Sequence, residues 1–243
     1  MRNPFAIISI VLIFFSCQTP SEKSPISDGE KLYRSAAELV AQTQLDSALL
    51  QLTLAFEKDL ENPMRIVQDS KMYPLIQHQE YRPKIRDLIR QYCDNSHAIM
   101  VRPEEQGQSI KVKGQILDEV SQKPISGALV ELVHTDNDGD YFKEKTLWNP
   151  RIFAYLKTNA KGEFSVETIL PGIYLDDEDQ PVPAHIHFTL EKEGYRVYAS
   201  EFTFDDDPVF KANGNVENVP VAKKEVMDGE EVFEVKLFMQ PVN

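Results

Sequence analysis

The sequence predicts an all-β sandwich domain preceded by a small α-helical module. Between Glu30 and Tyr92, apolar residues recur three and four positions apart, which is the spacing of a helix packed along one face. From Ile110 onward, short segments alternate apolar and polar residues, the period of strands with one buried face. Turn sequences such as "QKPISG", "NAKGE" and "KEGY" separate these segments, and short alternating strands spaced in this way are typical of a β-sandwich.

The helical module is predicted over residues 30–93. Ala48, Leu52 and Phe56 belong to one apolar stripe, which predicts a helix with Asp46 at its N-cap. The spacing of "AELVAQTQLDSALLQLTLAFE" resembles one tetratricopeptide-type unit, and a single unit of that type cannot bury its own face. We therefore expect these helices to pack on the second half of the chain, to form a homodimer interface with a second copy, or to dock a partner.

The second half of the chain is predicted to be one β-sandwich domain over residues 110–243. The polar residues 94–109 are predicted to form the linker that precedes it. Long loops are expected at residues 141–151, 175–183 and 205–224, and loops longer than the median often carry function.

The N-terminal segment indicates export. Residues 1–16 contain one arginine followed by an apolar run shorter than a membrane span, which predicts a signal peptide. The run ends in "FFSC", which resembles the bacterial lipobox, so we expect lipidation of Cys17 and a flexible tether over residues 17–29. A cleaved signal without lipid and an N-terminal anchor are the alternatives. The expected location is the bacterial cell envelope, lipid-anchored at the outer membrane or in the periplasm.

The formal net charge of −13 limits the classes of partner. Nucleic-acid binding depends on clustered lysine and arginine, so no nucleic-acid partner is expected. Membrane attachment through a basic patch is not expected either, which leaves the acyl chain at Cys17 as the anchor. Cys93 is the one other cysteine, so no intramolecular disulfide is expected once Cys17 is acylated.

Two histidines in "PVPAHIHFTL" stand one residue apart in a predicted strand. Residues two apart on a strand point to the same face, so His185 and His187 present their imidazoles side by side. Two neutral imidazoles on one rigid face can bind a transition-metal ion, or can simply share a strand. The acidic residues of "YLDDEDQ" are expected to lie in a solvated loop. Tyr141 and Tyr174 each follow a glycine-containing turn, which predicts aromatic residues at the rim of the sandwich.

Together, these residues resemble the intradiol ring-cleavage dioxygenases, the non-haem iron(III) enzymes that open catechols between the two hydroxyls. The family has a first tyrosine after a glycine-containing turn, a second in "PGxY" and two histidines in "PAHIHF". In this sequence these are Tyr141, Tyr174, His185 and His187, in the family's order and at similar separations, within a similarity that runs from about Lys111 to Phe210.

The resemblance implies Fe(III) as the cofactor and a catechol and O2 as the substrates, with a ring-opened diacid of the muconate type as the product. It implies that Tyr141, Tyr174, His185 and His187 bind the metal. It also implies that Tyr174 is catalytic, because it leaves the metal and accepts a substrate proton. The residue types agree, because Fe(III) is a hard ion and phenolates are hard anionic donors.

The sequence departs from the family's pattern at two positions. Simple-catechol members commonly carry arginine three residues before the first histidine, where this sequence has Val182. This leaves the metal ligands in place and puts the rate and the substrate in doubt. Glu201 occupies a position where the family often has a polar amide. The alternatives for it are a side chain that supports the metal ligands and an exposed strand residue, and we expect the second. The acidic segment after Tyr174 would repel carboxylated aromatics, which favours an uncharged catechol.

Two other functions are compatible with parts of the sequence. The segment "VKGQILDEVSQKPISGALVEL" also resembles transthyretin-like and carboxypeptidase-regulatory sandwiches, which bind partners or sugars without a metal. Those domains lack the set of two tyrosines and two histidines. The other alternative is a family member that binds iron but turns over catechols weakly or not at all.

Overall fold

A computed structural model of the chain describes residues 26–58, 60–141, 149–213, 219–227 and 229–242. The predicted signal segment, the predicted lipidation residue Cys17 and most of the predicted loop at 141–151 lie outside these residues. The described part of the chain is a mostly β-sheet domain preceded by helices.

The N-terminal part contains four α-helices with short 3₁₀ turns between them. They are α1 Asp28–Ala41, α2 Leu45–Glu57, α3 Tyr73–Ile76 and α4 Tyr81–Tyr92, with 3₁₀ turns at Pro63–Val67 and Ser70–Met72. The side chain of Ser27 caps α1, because its Oγ accepts the backbone N–H of Glu30 at 3.1 Å. The predicted cap of α2 is wrong: the N-cap is Gln44, and Asp46 accepts the hydroxyl of Tyr81 at 2.7 Å instead.

Eleven strands and one further short helix are described in the second part. The strands are β1 His97–Ile99, β2 Ser109–Asp118, β3 Leu129–His134, β4 Ile152–Lys157, β5 Glu163–Ile169, β6 Tyr174–Leu175, β7 Pro181–Val182, β8 His185–Glu191, β9 Tyr198–Phe204, β10 Val221–Met227 and β11 Glu230–Met239. The helix α5 spans Pro208–Asn213, between β9 and β10.

Nine of these strands form one sheet in the order β1-β5-β2-β11-β10-β9-β8-β3-β4. The strand β10 joins the two halves of this order, since Val221 and Ala222 pair with β9 while Lys223–Met227 pair with β11. The two outermost strands approach each other, because the backbone N–H of Lys157 donates to the carbonyl of Asn95 at 2.9 Å. The sheet therefore curls around the buried core.

The segment 94–109 contains an edge strand as well as connecting residues. The strand β1 pairs in parallel with β5, with His97 opposite Ser165. Ala98 and Met100 are almost completely buried, so they anchor this segment in the core. The polar residues that surround this short strand conceal its pattern in the sequence.

The helix α4 attaches the helical part to the sheet. Arg82, Arg86 and Arg90 are four residues apart, so they lie on one side of the helix. Arg82 donates to the carbonyl of Asn149, and Arg86 to the carboxylate of Glu131 on β3 at 2.7 Å. Buried residues of the helices and of the sheet belong to one continuous hydrophobic core. Among the described residues, no helix has the length and apolar character needed to cross a membrane.

Candidate metal centre

His185 and His187 lie on β8, between β3 and β9. Both side chains point to one face, while Ile186 between them is fully buried on the other. The Nδ1 of His185 lies 2.7 Å from the carbonyl oxygen of Pro183, so the ring donates its Nδ1–H there. The Nε2 of His185 therefore carries a lone pair directed at the neighbouring side chains.

The Nε2 of His185 is the point at which the predicted ligands meet. The phenol oxygen of Tyr141 lies 2.9 Å from it, and that of Tyr174 lies 3.5 Å away. The Nε2 of His187 is 3.3 Å away. The structure thus brings the four residues selected from the sequence to one place, although they come from different segments of the chain.

A tight turn at residues 136–140 delivers Tyr141. The side chain of Asp136 accepts the backbone N–H groups of Asp138 and Asp140, both at 3.0 Å. Gly139 adopts a positive φ of 83°, which favours glycine over residues with a side chain. The turn is therefore fixed by side-chain and backbone hydrogen bonds just before the tyrosine.

This turn packs on the segment that delivers Tyr174. The backbone N–H of Gly172 donates to the carbonyl of Asp136 at 2.9 Å. A Cβ atom at Gly172 would lie 2.5 Å from backbone atoms of Asp136, Asn137 and Gly139. The absence of a side chain at Gly172 therefore lets the two tyrosine-bearing segments touch.

Tyr174 lies on a hairpin separate from the nine-stranded sheet. The strands β6 and β7 pair with each other, with Tyr174 opposite Val182. The acidic residues predicted to lie in a long loop form the turn of this hairpin, where Asp176 accepts the backbone N–H groups of Glu178 and Gln180. Val182, which replaces the family's usual arginine, therefore lies directly across from one of the four predicted ligands.

A carboxylate that the sequence analysis placed on an exposed strand belongs to this site. Glu201 on β9 lies directly opposite His187 in the antiparallel pair of β8 and β9. Its Oε2 lies 3.6 Å from Nδ1 of His187 and 3.9 Å from Nε2 of His185, and its side chain is 35% exposed. His185, His187 and Glu201 form a group that could hold a metal ion. Only the pairing register of two strands reveals this contact.

Burial determines the electrostatics of the site without a metal. It raises the pKa of both Tyr141 and Tyr174 above the usual tyrosine value, and it lowers the pKa of His187. The imidazole of His187 is consequently neutral, as a metal ligand must be, and the phenols are protonated. A bound cation would reverse the burial penalty on the phenolates, because it supplies the opposite charge.

The donor set fits one hard metal ion. Two atoms bound to the same ion at about 2.1 Å each are at most about 4.2 Å apart. The distances of 2.9, 3.3 and 3.5 Å around Nε2 of His185 lie within this limit. Phenolate oxygens and imidazoles together are donors suited to iron. Thr203, across from His185, also has a buried hydroxyl with no hydrogen-bond partner among the described residues.

Two polar residues near the site, Arg151 before β4 and His134 at the end of β3, are engaged elsewhere. The guanidinium of Arg151 donates to Glu105 at 2.7 and 2.8 Å and to Asp136 at 3.1 Å, so its charge is compensated by two carboxylates. His134 is completely buried between the carbonyl of Thr135 and the hydroxyl of Thr168, at 2.6 Å from each. Both residues support the turn and the core beneath the site.

The family model Dioxygenase_C, described as dioxygenase, matches residues 86–228. The match covers more than half of the chain, so the chain belongs to this family. Together with the relatives described below, this confirms the class predicted from the sequence, the intradiol ring-cleavage dioxygenases. The tetratricopeptide-like character of the helices remains a prediction.

The curated relatives are distant, and the similarity covers only part of each chain. The chain is 28% identical over 130 residues to catechol 1,2-dioxygenase 2 of Acinetobacter lwoffii, covering 47% of this chain and 46% of the relative. It is 27% identical over 124 residues to chlorocatechol 1,2-dioxygenase of Rhodococcus opacus, covering 44% and 48%. The chain thus spans about half the length of the curated relatives it matches.

Solved structures of similar proteins include 3-chlorocatechol 1,2-dioxygenase from Rhodococcus opacus 1CP. That structure is 16% identical, with a TM-score of 0.49, and the similarity covers 87% of this chain and 96% of the other. Catechol 1,2-dioxygenase from Pseudomonas arvilla C-1 is 15% identical, also with a TM-score of 0.49, and the similarity covers 88% and 84%.

Proposed function

We propose that this chain binds Fe(III) through Tyr141, Tyr174, His185 and His187 and cleaves the ring of a catechol between its two hydroxyls. O2 is the co-substrate, and the product is a muconate-type diacid. One observation carries the proposal: two phenol oxygens and a second imidazole nitrogen surround Nε2 of His185 within 3.5 Å. Membership of the dioxygenase family favours this enzyme over a metal-free binding module.

The bound Fe(III) would supply a Lewis acid that makes the catechol ring reactive towards O2. Tyr174 is the residue that moves a proton. It lies on a hairpin of two-residue strands outside the main sheet, and its phenol is farther from His185 than that of Tyr141. In agreement with the role that the family resemblance implies, Tyr174 would give way to the substrate, and its Oη would accept the proton of a substrate hydroxyl.

Tyr141, His185 and His187 hold the site while Tyr174 moves. The two histidines are fixed by β8, which is paired on both edges, and Tyr141 is fixed by the turn that Asp136 caps. Three ligands held by the main sheet and the capped turn, with the fourth on a separate hairpin, would allow exchange of one donor without loss of the site.

The surroundings of Tyr174 favour an uncharged, apolar catechol. Val182 lies directly across from Tyr174 in the hairpin, so an apolar side chain shares its face. The acidic hairpin turn at 176–179 would repel a carboxylated ring. The guanidinium of Arg151 is already paired with two carboxylates, which leaves it poorly placed to compensate.

Oxygen uptake by the iron-loaded full chain tests the proposal. Catechol and alkyl- or halogen-substituted catechols are expected to consume one O2 per ring and to yield a diacid that contains both oxygen atoms. Protocatechuate is expected to react more slowly, and Tyr174→Phe to lose most of the turnover. If no catechol is consumed although iron is bound, the enzymatic proposal fails. The alternative of an iron-binding member without turnover, for which Val182 is the motivating residue, would then stand.

We further infer that the curled nine-stranded sheet is a sandwich whose two layers are joined by β10. Support comes from the pairing of β10 with both β9 and β11, and from the hydrogen bond between Lys157 and Asn95. We also propose that the chain is exported and anchored through lipid at Cys17, on the evidence of the sequence "FFSC" alone.

A further inference from the structure

Glu201 stands beside the four proposed ligands and has no role in the function proposed above. Its carboxylate faces the ring nitrogens of both histidines. Among the described residues, no lysine or arginine pairs with it. A carboxylate in this position is available to a cation held by the same histidines.

The distance between Glu201 and His185 permits the two residues to share a metal ion. The Oε2 of Glu201 is 3.9 Å from Nε2 of His185, within the limit of about 4.2 Å for two atoms bound to one ion. Its 3.6 Å distance from Nδ1 of His187 is too long for a hydrogen bond, so it is not primarily the acceptor of that ring's N–H.

The strand pairing fixes Glu201 in this place. It is directly opposite His187, and opposite residues of an antiparallel pair project from the same face of the sheet. Thr203, the partner of His185, lies two residues further along β9, so the same register places both pairs. The carboxylate thus reaches the site from the strand, without a loop rearrangement.

The charge of the bound site also favours a carboxylate ligand. Two phenolates balance two of the three positive charges of Fe(III), and the imidazoles are neutral ligands. One more anion makes the bound site neutral, and a partly buried site favours neutrality. Glu201 is an anionic side chain of this chain within reach of that position.

We propose that Glu201 is a fifth protein ligand and the third anionic donor of the iron(III) site. This inference rests on the proposed function, because it assumes that Tyr141 and Tyr174 bind Fe(III) as phenolates. It predicts that Fe(III) at this site would bind small anions more weakly than at a site without this carboxylate, since Glu201 would supply the third negative charge.

The test compares the full chain with Glu201→Gln, which keeps the shape and removes the charge. Glu234→Gln, on the exposed side of β11, is the matched control for the loss of one charge. Each protein is loaded with Fe(III). Iron retention is measured against a competing chelator, and the visible spectrum is recorded while azide is added. Circular dichroism and thermal melting of the metal-free proteins check that the variants fold.

The expected result is that Glu201→Gln retains Fe(III) about tenfold or more weakly, and that azide changes its visible band. The unsubstituted chain and Glu234→Gln are expected to keep their iron and to need a higher azide concentration for the same spectral change. If the unsubstituted chain responds to azide as the variant does, or if iron retention is unchanged in Glu201→Gln, the assignment of Glu201 is wrong and the proposed function stands. If the unsubstituted chain binds no Fe(III), both are overturned.

Discussion

Single residues in the site are held in a defined state by short hydrogen bonds to the backbone. The carbonyl of Pro183 accepts the Nδ1–H of His185 and so leaves Nε2 free to act as a ligand. His134 makes the same kind of hydrogen bond to a backbone carbonyl, but it has a different role. Its two ring nitrogens are both engaged by Thr135 and Thr168 in the core, so it is a structural residue.

The burial of His134 predicts that the folded protein becomes less stable in acid. Burial lowers the pKa of this residue from 6.5 to about 4, so the folded protein keeps it neutral while the unfolded chain takes up a proton below pH 6.5. The free energy of unfolding should therefore fall as the pH drops from about 6.5 to about 4, by on the order of 3 kcal/mol from this residue. Urea unfolding of the metal-free protein at several pH values measures this loss of stability.

The control separates His134 from the many carboxylates that also titrate in acid. His134→Gln, which retains a donor and an acceptor, should show a smaller loss of stability between pH 6.5 and pH 4 than the unsubstituted chain. His97→Gln, at an exposed position, should keep the full loss. An unchanged pH dependence in His134→Gln would contradict the assignment.

At the scale of elements, the contact between the two tyrosine-bearing segments depends on glycine. In Gly172→Ala the new Cβ meets three backbone atoms at 2.5 Å, which cannot move as a flexible side chain would. We expect a loss of roughly 1–3 kcal/mol of stability. We also expect loss of the visible colour of the ferric protein, because Tyr141 and Tyr174 are displaced.

The matched control for this variant is Gly194→Ala. Nothing lies within 4 Å of a Cβ at Gly194, although its φ of 84° makes alanine strained there too. This control should lose some stability and keep the iron colour. If Gly172→Ala retains the colour of the unsubstituted chain, the packing of the two segments does not position the tyrosines.

The contacts between the helix α4 and the sheet predict that the helical part and the sheet unfold together. Arg86 is 10% exposed and pairs with Glu131 on β3, so Arg86→Met leaves a carboxylate that is 24% exposed with the hydroxyl of Tyr155 as its remaining partner. Removal of one member of a fully buried pair costs roughly 3–5 kcal/mol, so we expect a loss below that range and above that of an exposed pair. Arg34→Met, which removes an exposed pair within α1, should change stability by less than about 1 kcal/mol. Equal effects of the two variants on the denaturant midpoint would contradict this account.

At the scale of the whole molecule, the sequence predicted the features that depend on a local pattern of residues. It did not predict the contacts that depend on the pairing of strands. The alternation of "PAHIHF" is sufficient to place His185 and His187 on one face. Together with the two tyrosines that follow turns, this pair of histidines indicated the dioxygenase family. Glu201 was expected to be an exposed strand residue, because its contact with His187 arises from the register of two strands.

Two parts of the architecture could also not be predicted from the sequence patterns. The strand β1 is three residues long within a polar segment, so its alternation is too short to detect. The role of α4 was not visible because its inward face carries buried arginines, whereas a pattern of apolar residues marks only the hydrophobic stripe. Arg86 pairs with Glu131 on the sheet, and Arg82 donates to three backbone carbonyls, which makes these charges compatible with burial.

The proposed lipid-anchored location can be tested in the full chain with one substitution. If Cys17 is lipidated, the protein expressed in a bacterial host should fractionate with membranes, and the acyl mass should appear in its N-terminal peptide. Cys17→Ser should shift the protein to the soluble fraction, whereas Cys93→Ser should leave fractionation unchanged. Membrane association that persists in Cys17→Ser would contradict a lipid anchor.

The central claim is that two phenolates of this chain bind Fe(III), and the visible spectrum of the ferric full chain tests it most directly. Phenolate bound to Fe(III) gives a charge-transfer band that aqueous iron and histidine-bound iron lack. With one equivalent of iron by metal analysis, we predict a coloured protein whose band is lost or strongly weakened in Tyr141→Phe and Tyr174→Phe. Tyr198→Phe, on β9 beside Phe188, should leave it unchanged. A colourless protein with iron bound, or a band that survives in both site variants, would contradict the claim.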